Sequence, residues 1–265
     1  MKKALRAVLG DYRVLQIKGI LAKYFPTQEE KEKRNLEAEE DYERKLFYDS
    51  FVKKDDLCFD VGANVGNRIR PLLGLGAKVL AVEPQQACYK ILKYKFGKRI
   101  IIINKGLGES EGIKNFYTSD ENVLSSFSDE WINSVKNSGR FQNIEWKEAI
   151  QVEITTLDKL IDIYGLPTFI KIDVEGYELE VLKGLTKPVK MISFEYTVPE
   201  QVNRLIECLE KIEKNATNIE CNYSVGESMK FALQDWQSVD SMKHLTTTDE
   251  FIATGFGDIY VRTKT

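Results

Sequence analysis

A glycine-containing turn followed by a spaced carboxylate could hold a nucleoside. The turn lies in Cys58-Phe-Asp-Val-Gly-Ala-Asn-Val-Gly66, where an apolar strand leads into a helix whose first backbone N–H groups can bind a polar ligand. Glu83 ends the next apolar run, 21 residues after Gly62 (83 minus 62). In nucleotide-binding α/β folds, an acid about 20 residues beyond such a turn accepts hydrogen bonds from ribose hydroxyls. Together the two features predict a nucleoside site.

The acid that precedes the glycines indicates the charge of the ligand. A dinucleotide-binding turn spaces its glycines as G-x-G-x-x-G, so that a pyrophosphate can approach the backbone. Here only Gly62 and Gly66 are present, and Asp60 comes before them. A carboxylate repels a pyrophosphate but attracts a cation. S-adenosylmethionine, which carries a sulfonium and an ammonium group, fits this pattern, and we expect it to be the cofactor.

A second group of ionisable residues lies in Phe169-Ile-Lys-Ile-Asp-Val-Glu-Gly176. Side chains of a strand alternate between its two faces, so Lys171 and Asp173 are expected to be neighbours on one face. Met191-Ile-Ser-Phe-Glu195 repeats the pattern. Four acids then fall at the carboxyl ends of predicted strands: Asp60, Glu83, Asp173 and Glu195. Their repulsion must be relieved by a cationic cofactor, by Lys171, by a divalent metal, or by a proton that one acid retains.

Alternating apolar runs and amphipathic segments predict the elements that carry these residues. Strands are predicted at 57–60, 79–83, 100–104, 169–173, 191–195 and 258–262. Helices are predicted after Gly66 and at 86–94, 157–164, 178–182 and 199–214. This alternation predicts an α/β fold with a parallel sheet that is covered on both faces. Residues 105–150 interrupt it, and a polar insertion of this kind is a natural place for substrate contacts.

Residues 1–46 are predicted to form an N-terminal helical extension. Positions 1–25 combine apolar residues at helical spacing with an excess of lysine and arginine. Pro26 ends that segment, and Thr27 with Glu30 forms a capping-box sequence for a second helix that continues toward Phe47. A helical cap on the domain is favoured over a helix that lies on an anionic membrane surface.

Composition excludes several classes of protein. The chain has 38 Lys and Arg against 41 Asp and Glu, a net charge of −3, so it lacks the basic excess of a nucleic-acid binder. Its four cysteines are far apart and His244 is its only histidine, so neither a Cys/His zinc site nor a disulfide framework is expected. No apolar run reaches the roughly 18 residues of a transmembrane segment. Charged residues interrupt the N-terminal segment where a signal peptide would need an apolar stretch. We expect a cytoplasmic protein.

Several motifs resemble those of the FkbM family of S-adenosylmethionine-dependent methyltransferases. They are Asp60-Val-Gly-Ala-Asn-Val-Gly66, Val82-Glu-Pro84, Thr156-Leu-Asp158, Lys171-Ile-Asp-Val-Glu-Gly176 and Val181-Leu-Lys-Gly184. The resemblance implies a class I methyltransferase domain at 47–265, which is Rossmann-like, with a mostly parallel seven-stranded sheet and helices on both faces. Its last strand, here 258–262, would be antiparallel and inserted into the sheet. The implied activity is O-methylation of a hydroxyl on a sugar, glycan, polyketide or similar small molecule.

The resemblance also implies roles for individual residues. Those assigned to the cofactor are Asp60, Gly62, Asn64, Gly66, Glu83, Gly108, Glu109 and Asp173. The first turn would shape the pocket for the methionine end, Glu83 would contact the ribose, and the turn at 106–110 would border the adenine. Ser125 and Ser126 resemble a serine pair of many members, and we expect them to bind the acceptor together with Glu175.

An alcohol is a poor nucleophile at neutral pH, so a group must take or polarise its proton. Asp173 and Glu195 lie on strands whose ends converge on the methyl group in this architecture, with Lys171 beside Asp173, and either acid could be the base. Alternatively the two acids hold magnesium, which prefers oxygen ligands. Base catalysis is favoured, because Glu175 is the only further oxygen ligand that the sequence offers nearby.

Two other functions fit parts of the sequence. A nucleotide-dependent oxidoreductase or epimerase on a Rossmann sheet would use a Tyr-x-x-x-Lys pair, and Tyr89 with Lys93 has this spacing. The pair comes too early in the chain for such a fold. A methyltransferase-like module could also bind the cofactor without turnover. Comparing the affinities for S-adenosylmethionine and for NADH tests the first alternative. A methylation assay with hydroxylated acceptors tests the second.

Overall fold

A seven-stranded sheet forms the centre of the molecule. The structure is a computed structural model that describes residues 27–117, 127 and 149–264. Within these residues the strands are β1 (Leu57–Val61), β2 (Lys78–Val82), β3 (Ile101–Ile103), β4 (Gly106–Leu107), β5 (Gly112–Phe116), β6 (Ile150–Thr155), β7 (Phe169–Ile172), β8 (Met191–Thr197), β9 (Ile219–Val225) and β10 (Phe256–Thr263). The sheet order is β3-β2-β1-β7-β8-β10-β9. Only β10 runs opposite to the other six strands of this sheet, which confirms the class I methyltransferase fold and the inserted last strand.

Helices cover both faces of the sheet, as predicted. They are α1 (Gln28–Asp49), α2 (Ile69–Gly74), α3 (Gln86–Phe96), α4 (Leu157–Tyr164), α5 (Glu178–Lys183), α6 (Val202–Asn215), α7 (Val239–Leu245) and α8 (Asp249–Ile252). One apolar layer joins the last turn of α1 with α2 and α3 over Cys58 and Phe169. The other joins α4 to α8 over Phe59 and Ile170. Adjacent residues of one strand therefore belong to opposite layers, as the period of two requires.

Strand β9 and helices α7 and α8 were not predicted from the sequence. Polar residues interrupt β9, so it lacks the apolar run by which the other strands are recognised. Two of these polar residues, Asn222 and Ser224, are nevertheless buried. The Asn222 side chain accepts a hydrogen bond from the Leu233 N–H at 3.1 Å and donates one to the Leu233 carbonyl at 2.9 Å. Pairing with the following loop makes its burial tolerable.

Helix α1 begins at the predicted capping box. The Glu30 carboxylate accepts a hydrogen bond from the Thr27 N–H at 2.8 Å, and the Glu30 N–H donates to the Thr27 hydroxyl at 3.1 Å. The helix continues without a break to Asp49, and Phe47 and Tyr48 in its last turn are buried in the core. The boundary predicted between residues 46 and 47 falls inside this helix. The helix predicted at positions 1–25 lies outside the described residues.

A small second sheet occupies the described part of the insertion predicted at 105–150. Its order is β4-β6-β5, in which β6 runs parallel to β4 and antiparallel to β5. Buried Phe116, Val152 and Ile154 form its apolar contact with Phe127. This sheet places Gly106, Leu107 and Phe116 near the carboxyl ends of β1 and β2. Within the described residues, no helix is both long and apolar enough to cross a membrane.

Candidate functional site

A cavity of about 390 Å³ opens at the carboxyl ends of β1, β2, β7 and β8. In open α/β sheets this edge is where ligands bind. Seven of the residues predicted for the site line the cavity: Asp60, Gly62, Asn64, Glu83, Asp173, Glu175 and Glu195. The structure therefore brings together residues that are up to 135 positions apart in the sequence (195 minus 60).

Gly62 lets β1 and β7 approach each other at the floor of the cavity. Its φ of +80° lies in the left-handed region that favours glycine. A Cβ at this position would lie 1.7 Å from the Asp173 carbonyl oxygen, so no other residue fits. Gly66 has a φ of +86°, and a Cβ there would lie 2.4 Å from the Phe96 ring. Gly66 thus permits packing against α3 and does not itself line the cavity.

Glu83 ties the end of β2 to the glycine turn. One carboxylate oxygen accepts the Asn64 N–H at 2.8 Å, and the other accepts the Gln85 N–H at 2.7 Å. Burial raises the pKa of Glu83 to about 7, although these two backbone hydrogen bonds oppose the shift. Each carboxylate oxygen can still accept a further hydrogen bond. Glu83 is therefore anchored in the protein and available to ligand hydroxyls.

Asp60 is a buried acid with an unsatisfied oxygen. It is 2% exposed, and its Oδ2 has no hydrogen-bond partner among the described residues. Burial raises its pKa to about 6, while the positive charges of Arg68 and Lys171 act in the opposite direction. A buried polar atom without a partner is costly. A donor or a cation in the cavity would satisfy it.

Lys171 is buried beneath the cavity and does not line it. Its Nζ lies 2.6 Å from Asp258 Oδ1 and 3.3 Å from Asp173 Oδ2. Asp173 and Asp258 raise the pKa of Lys171 strongly, against the effect of burial. Lys171 is therefore a permanent cation that positions Asp173. Asp258 was not predicted as part of the site, although an acid inside the apolar strand 256–261 indicates a buried partner of opposite charge.

Asp173, Glu175 and Glu195 form a carboxylate cluster. One oxygen of each lies within 4.8 Å of those of the other two, a spacing that could hold a divalent metal ion. The pKa of Glu195 is raised well above its usual value, first by burial and then by the charges of Asp173 and Glu175. The pKa of Glu175 is raised likewise by burial and by Asp173. Because Glu175 and Glu195 are buried in the same cluster, the charge on Glu175 raises the pKa of Glu195 further.

The backbone of this cluster is held in place by Glu178. Its Oε1 accepts the Val174 N–H at 3.1 Å and the Gly176 N–H at 3.2 Å. Between these residues Glu175 adopts a φ of +52°, which is unusual for a residue other than glycine. The turn directs Glu175 into the lining of the cavity. This role of Glu178 was not predicted from the sequence.

Some predicted site residues lie elsewhere. Gly108 and Glu109 are not part of the cavity lining, where Lys105, Gly106 and Leu107 lie instead. The Gly108 N–H donates to the Thr155 carbonyl at 3.0 Å, so this group is used in pairing with β6. Ser125 and Ser126 lie outside the described residues, and their acceptor role stays a prediction.

Two arginines in the lining were not predicted. Arg44 lies on α1, and Arg68 directly precedes α2. Both side chains approach Glu227, which follows β9. No motif or spacing links these residues, which lie up to 183 positions apart (227 minus 44). Only the fold brings them to one wall of the cavity.

Comparisons with known proteins match this chain to methyltransferases. The sequence model of the methyltransferase FkbM domain matches residues 60–235. The hexuronic acid methyltransferase AglP of Haloferax volcanii is 27% identical over 166 residues, and the match spans 61% of this chain and 62% of that protein. The matched domain contains Asp60, Glu83 and Asp173, whereas Arg44 and Asp258 lie outside it.

Two of the similar solved structures are methyltransferases. A precorrin-6y C5,15-methyltransferase of Geobacter metallireducens has a TM-score of 0.43 and 11% identity, and the match covers 84% of this chain and 86% of that one. A TehB-like S-adenosylmethionine-dependent methyltransferase of Corynebacterium glutamicum has a TM-score of 0.45 and 11% identity, with 96% and 97% coverage.

Proposed function

The chain belongs to the FkbM methyltransferase family, and on this premise we propose that it transfers a methyl group from S-adenosylmethionine to a hydroxyl of a sugar or similar metabolite. The observation that carries the proposal is the cavity in which the glycine turn, Glu83 and the carboxylate cluster meet. The relative that methylates hexuronic acid supports a sugar as the acceptor.

The residues of the cavity suit this cofactor. The unsatisfied Oδ2 of Asp60 calls for a cation or a donor, and the cofactor has an ammonium and a sulfonium group. Glu83 can accept hydrogen bonds from the ribose hydroxyls. Leu107, Phe116 and Phe127 provide an apolar wall against which an adenine can pack. When bound, S-adenosylmethionine supplies a methyl group that is already activated by the positively charged sulfur.

The chain's own residues then have to align the acceptor and remove its proton. Because the pKa values of Glu175 and Glu195 are raised, we propose that the two glutamates retain a proton between them. Asp173, positioned by Lys171, is then the carboxylate that accepts the hydroxyl proton. Glu195 hydrogen bonds the acceptor from the neighbouring strand. The apolar wall excludes water from the site.

A methyl-transfer assay with the purified full chain tests this function. The chain is incubated with S-adenosylmethionine and with hexuronic acids, neutral hexoses and amines, and the products are analysed by mass spectrometry. We expect a methyl ether on a sugar hydroxyl and none in a matched Asp173→Asn sample. Absence of binding of the cofactor and of its demethylated product at millimolar concentration would contradict the proposal.

The same assay separates base catalysis from metal catalysis. We propose that the carboxylate cluster acts as base and hydrogen-bond acceptor, so activity should survive dialysis against EDTA. Loss of activity that added magnesium restores would assign the cluster of Asp173, Glu175 and Glu195 to a metal ion instead.

A further inference from the structure

Two buried arginines from different helical segments share one carboxylate at the wall of the cavity. Arg68 Nη2 lies 2.7 Å from both Glu227 oxygens, and Arg44 Nη2 lies 3.7 Å from Oε2 of the same residue. The arginine side chains are only 10% and 11% exposed, whereas that of Glu227 is 54% exposed. Two guanidinium groups are thus held at the cavity by a partner that is itself largely in water.

Contacts within the described residues leave at least one hydrogen-bond donor of this arginine pair without a partner. The Nε of Arg44 is buried and has no hydrogen-bond partner among the described residues. Its other ion-pair partners are Glu40 at 3.1 Å and Asp41 at 3.9 Å, both on its own helix. A guanidinium has five N–H donors arranged to match a carboxylate. The pair can therefore accept an additional anionic group from a ligand.

An acid with an unsatisfied oxygen lines the same cavity as the arginine pair. Asp60 lines the cavity together with Arg68, and the charge of Arg68 acts on the carboxyl of Asp60. A ligand that satisfies both Asp60 and the arginines carries a positive and a negative group. An α-amino acid has this arrangement, with its ammonium and carboxylate on one carbon atom.

We propose that Arg68 and Arg44 bind the α-carboxylate at the methionine end of S-adenosylmethionine, while Asp60 binds its ammonium group. This inference rests on the proposed function, because it assigns the cofactor to the cavity. It also gives α1 a function. Arg44 lies outside residues 60–235, to which the family model matches, so the N-terminal helix completes a site that the family domain begins.

Binding calorimetry with two ligands tests the proposal without turnover. The ligands are S-adenosylhomocysteine, which is the demethylated product, and its decarboxylated analogue. We expect the wild-type full chain to bind the first about 10- to 100-fold more tightly, the range of a charged hydrogen bond. In Arg68→Gln this ratio should fall toward one, and in Arg44→Gln it should fall in part. Because both affinities are measured on the same preparation, their ratio does not depend on the fraction of the variant that is folded.

Arg70 provides a matched control. It lies on α2, is 41% exposed, pairs with Asp41 at 2.8 Å and does not line the cavity. Arg70→Gln should therefore keep the wild-type ratio. A wild-type ratio near one, or an unchanged ratio in Arg68→Gln, would overturn the carboxylate assignment while leaving the proposed function intact. Failure of the wild-type chain to bind either ligand would overturn both.

An acidic acceptor is the competing source of the carboxylate. If the arginines serve the acceptor, the two variants raise the KM for a hexuronic acid relative to the matching neutral hexose. The ratio of the two cofactor-derived ligands then stays as in the wild type. That result contradicts the proposal.

Discussion

The ionisation of Asp60 should control how tightly the cofactor binds. The carboxyl is 2% exposed, and burial raises its pKa to about 6. The charges that act on it are those of Arg68 and Lys171, which lower the pKa, and of Asp173, which raises it. A cationic ligand favours the ionised acid, so affinity for S-adenosylmethionine should rise with pH as Asp60 loses its proton.

The size of the effect follows from this pKa. At pH 5 about a tenth of Asp60 is ionised, and at pH 7 about nine tenths. If only the ionised acid binds the cation, affinity changes about tenfold over this interval, equivalent to about 1.4 kcal/mol. Glu83 lines the same cavity, and its pKa of about 7 places its titration in the same range. The measurement is therefore made in a Glu83→Gln background, which removes that contribution.

Calorimetry at several pH values between 5 and 8 compares Glu83→Gln with Glu83→Gln/Asp60→Asn. We expect the affinity of the first chain to rise about tenfold more than that of the second, because Glu175 and Glu195 contribute equally to both profiles. Buffers with different ionisation enthalpies should also reveal release of about half a proton on binding near pH 6, because half of Asp60 is protonated there. Circular dichroism at each pH verifies the fold. Equal profiles for the two chains, or an affinity that falls with pH, would refute the role of Asp60.

Four further substitutions test the remaining parts of the site. Glu83→Ala should weaken cofactor binding about 10- to 100-fold in calorimetry, because a charged hydrogen-bond acceptor is lost; unchanged affinity would remove the ribose assignment. Asp173→Asn should lower kcat at least about 100-fold with nearly unchanged cofactor affinity, and retained turnover would place the base elsewhere. Gly62→Ala should abolish cofactor binding, because its Cβ would lie 1.7 Å from a carbonyl oxygen; wild-type affinity would contradict the close approach. Lys171→Met should lower the free energy of unfolding by about 3–5 kcal/mol in denaturant titrations, because Asp258 is left buried without its cation. The double variant Lys171→Met/Asp258→Leu is the control, and it should lose less stability because no charge is left unpaired at Asp258.

Local sequence patterns were sufficient for the parts of the fold and site that depend on periodicity. The period of two in β7 placed Lys171 beside Asp173, and the structure has their charged atoms 3.3 Å apart. The order of apolar runs gave six of the seven strands of the main sheet. The missing strand, β9, buries Asn222, whose partners are in the loop that follows. A pattern of polar and apolar residues cannot reveal that the hydrogen-bonding groups of such a residue find partners in the backbone of the following loop.

Contacts between distant segments could not be predicted in the same way. The carbonyl that makes Gly62 necessary belongs to Asp173, on another strand. The pair of Arg44 and Arg68 depends on how α1 packs across α2, which is decided by burial of Phe47 and Tyr48. One sequence contains the residues of such contacts but not their pairing.

The partner of Lys171 changes how the acids of the site must be understood. From the sequence, Lys171 could have relieved the repulsion among the carboxylates at the sheet edge. In the structure its shorter ion pair, at 2.6 Å, is with Asp258, and it touches the cluster only through Asp173. A cation that is shared by Asp258 and Asp173 cannot also neutralise Glu175 and Glu195. The repulsion between Glu175 and Glu195 must therefore be relieved by a proton that they retain or by a ligand. Their raised pKa values favour a retained proton, and a cationic cofactor would relieve the same repulsion.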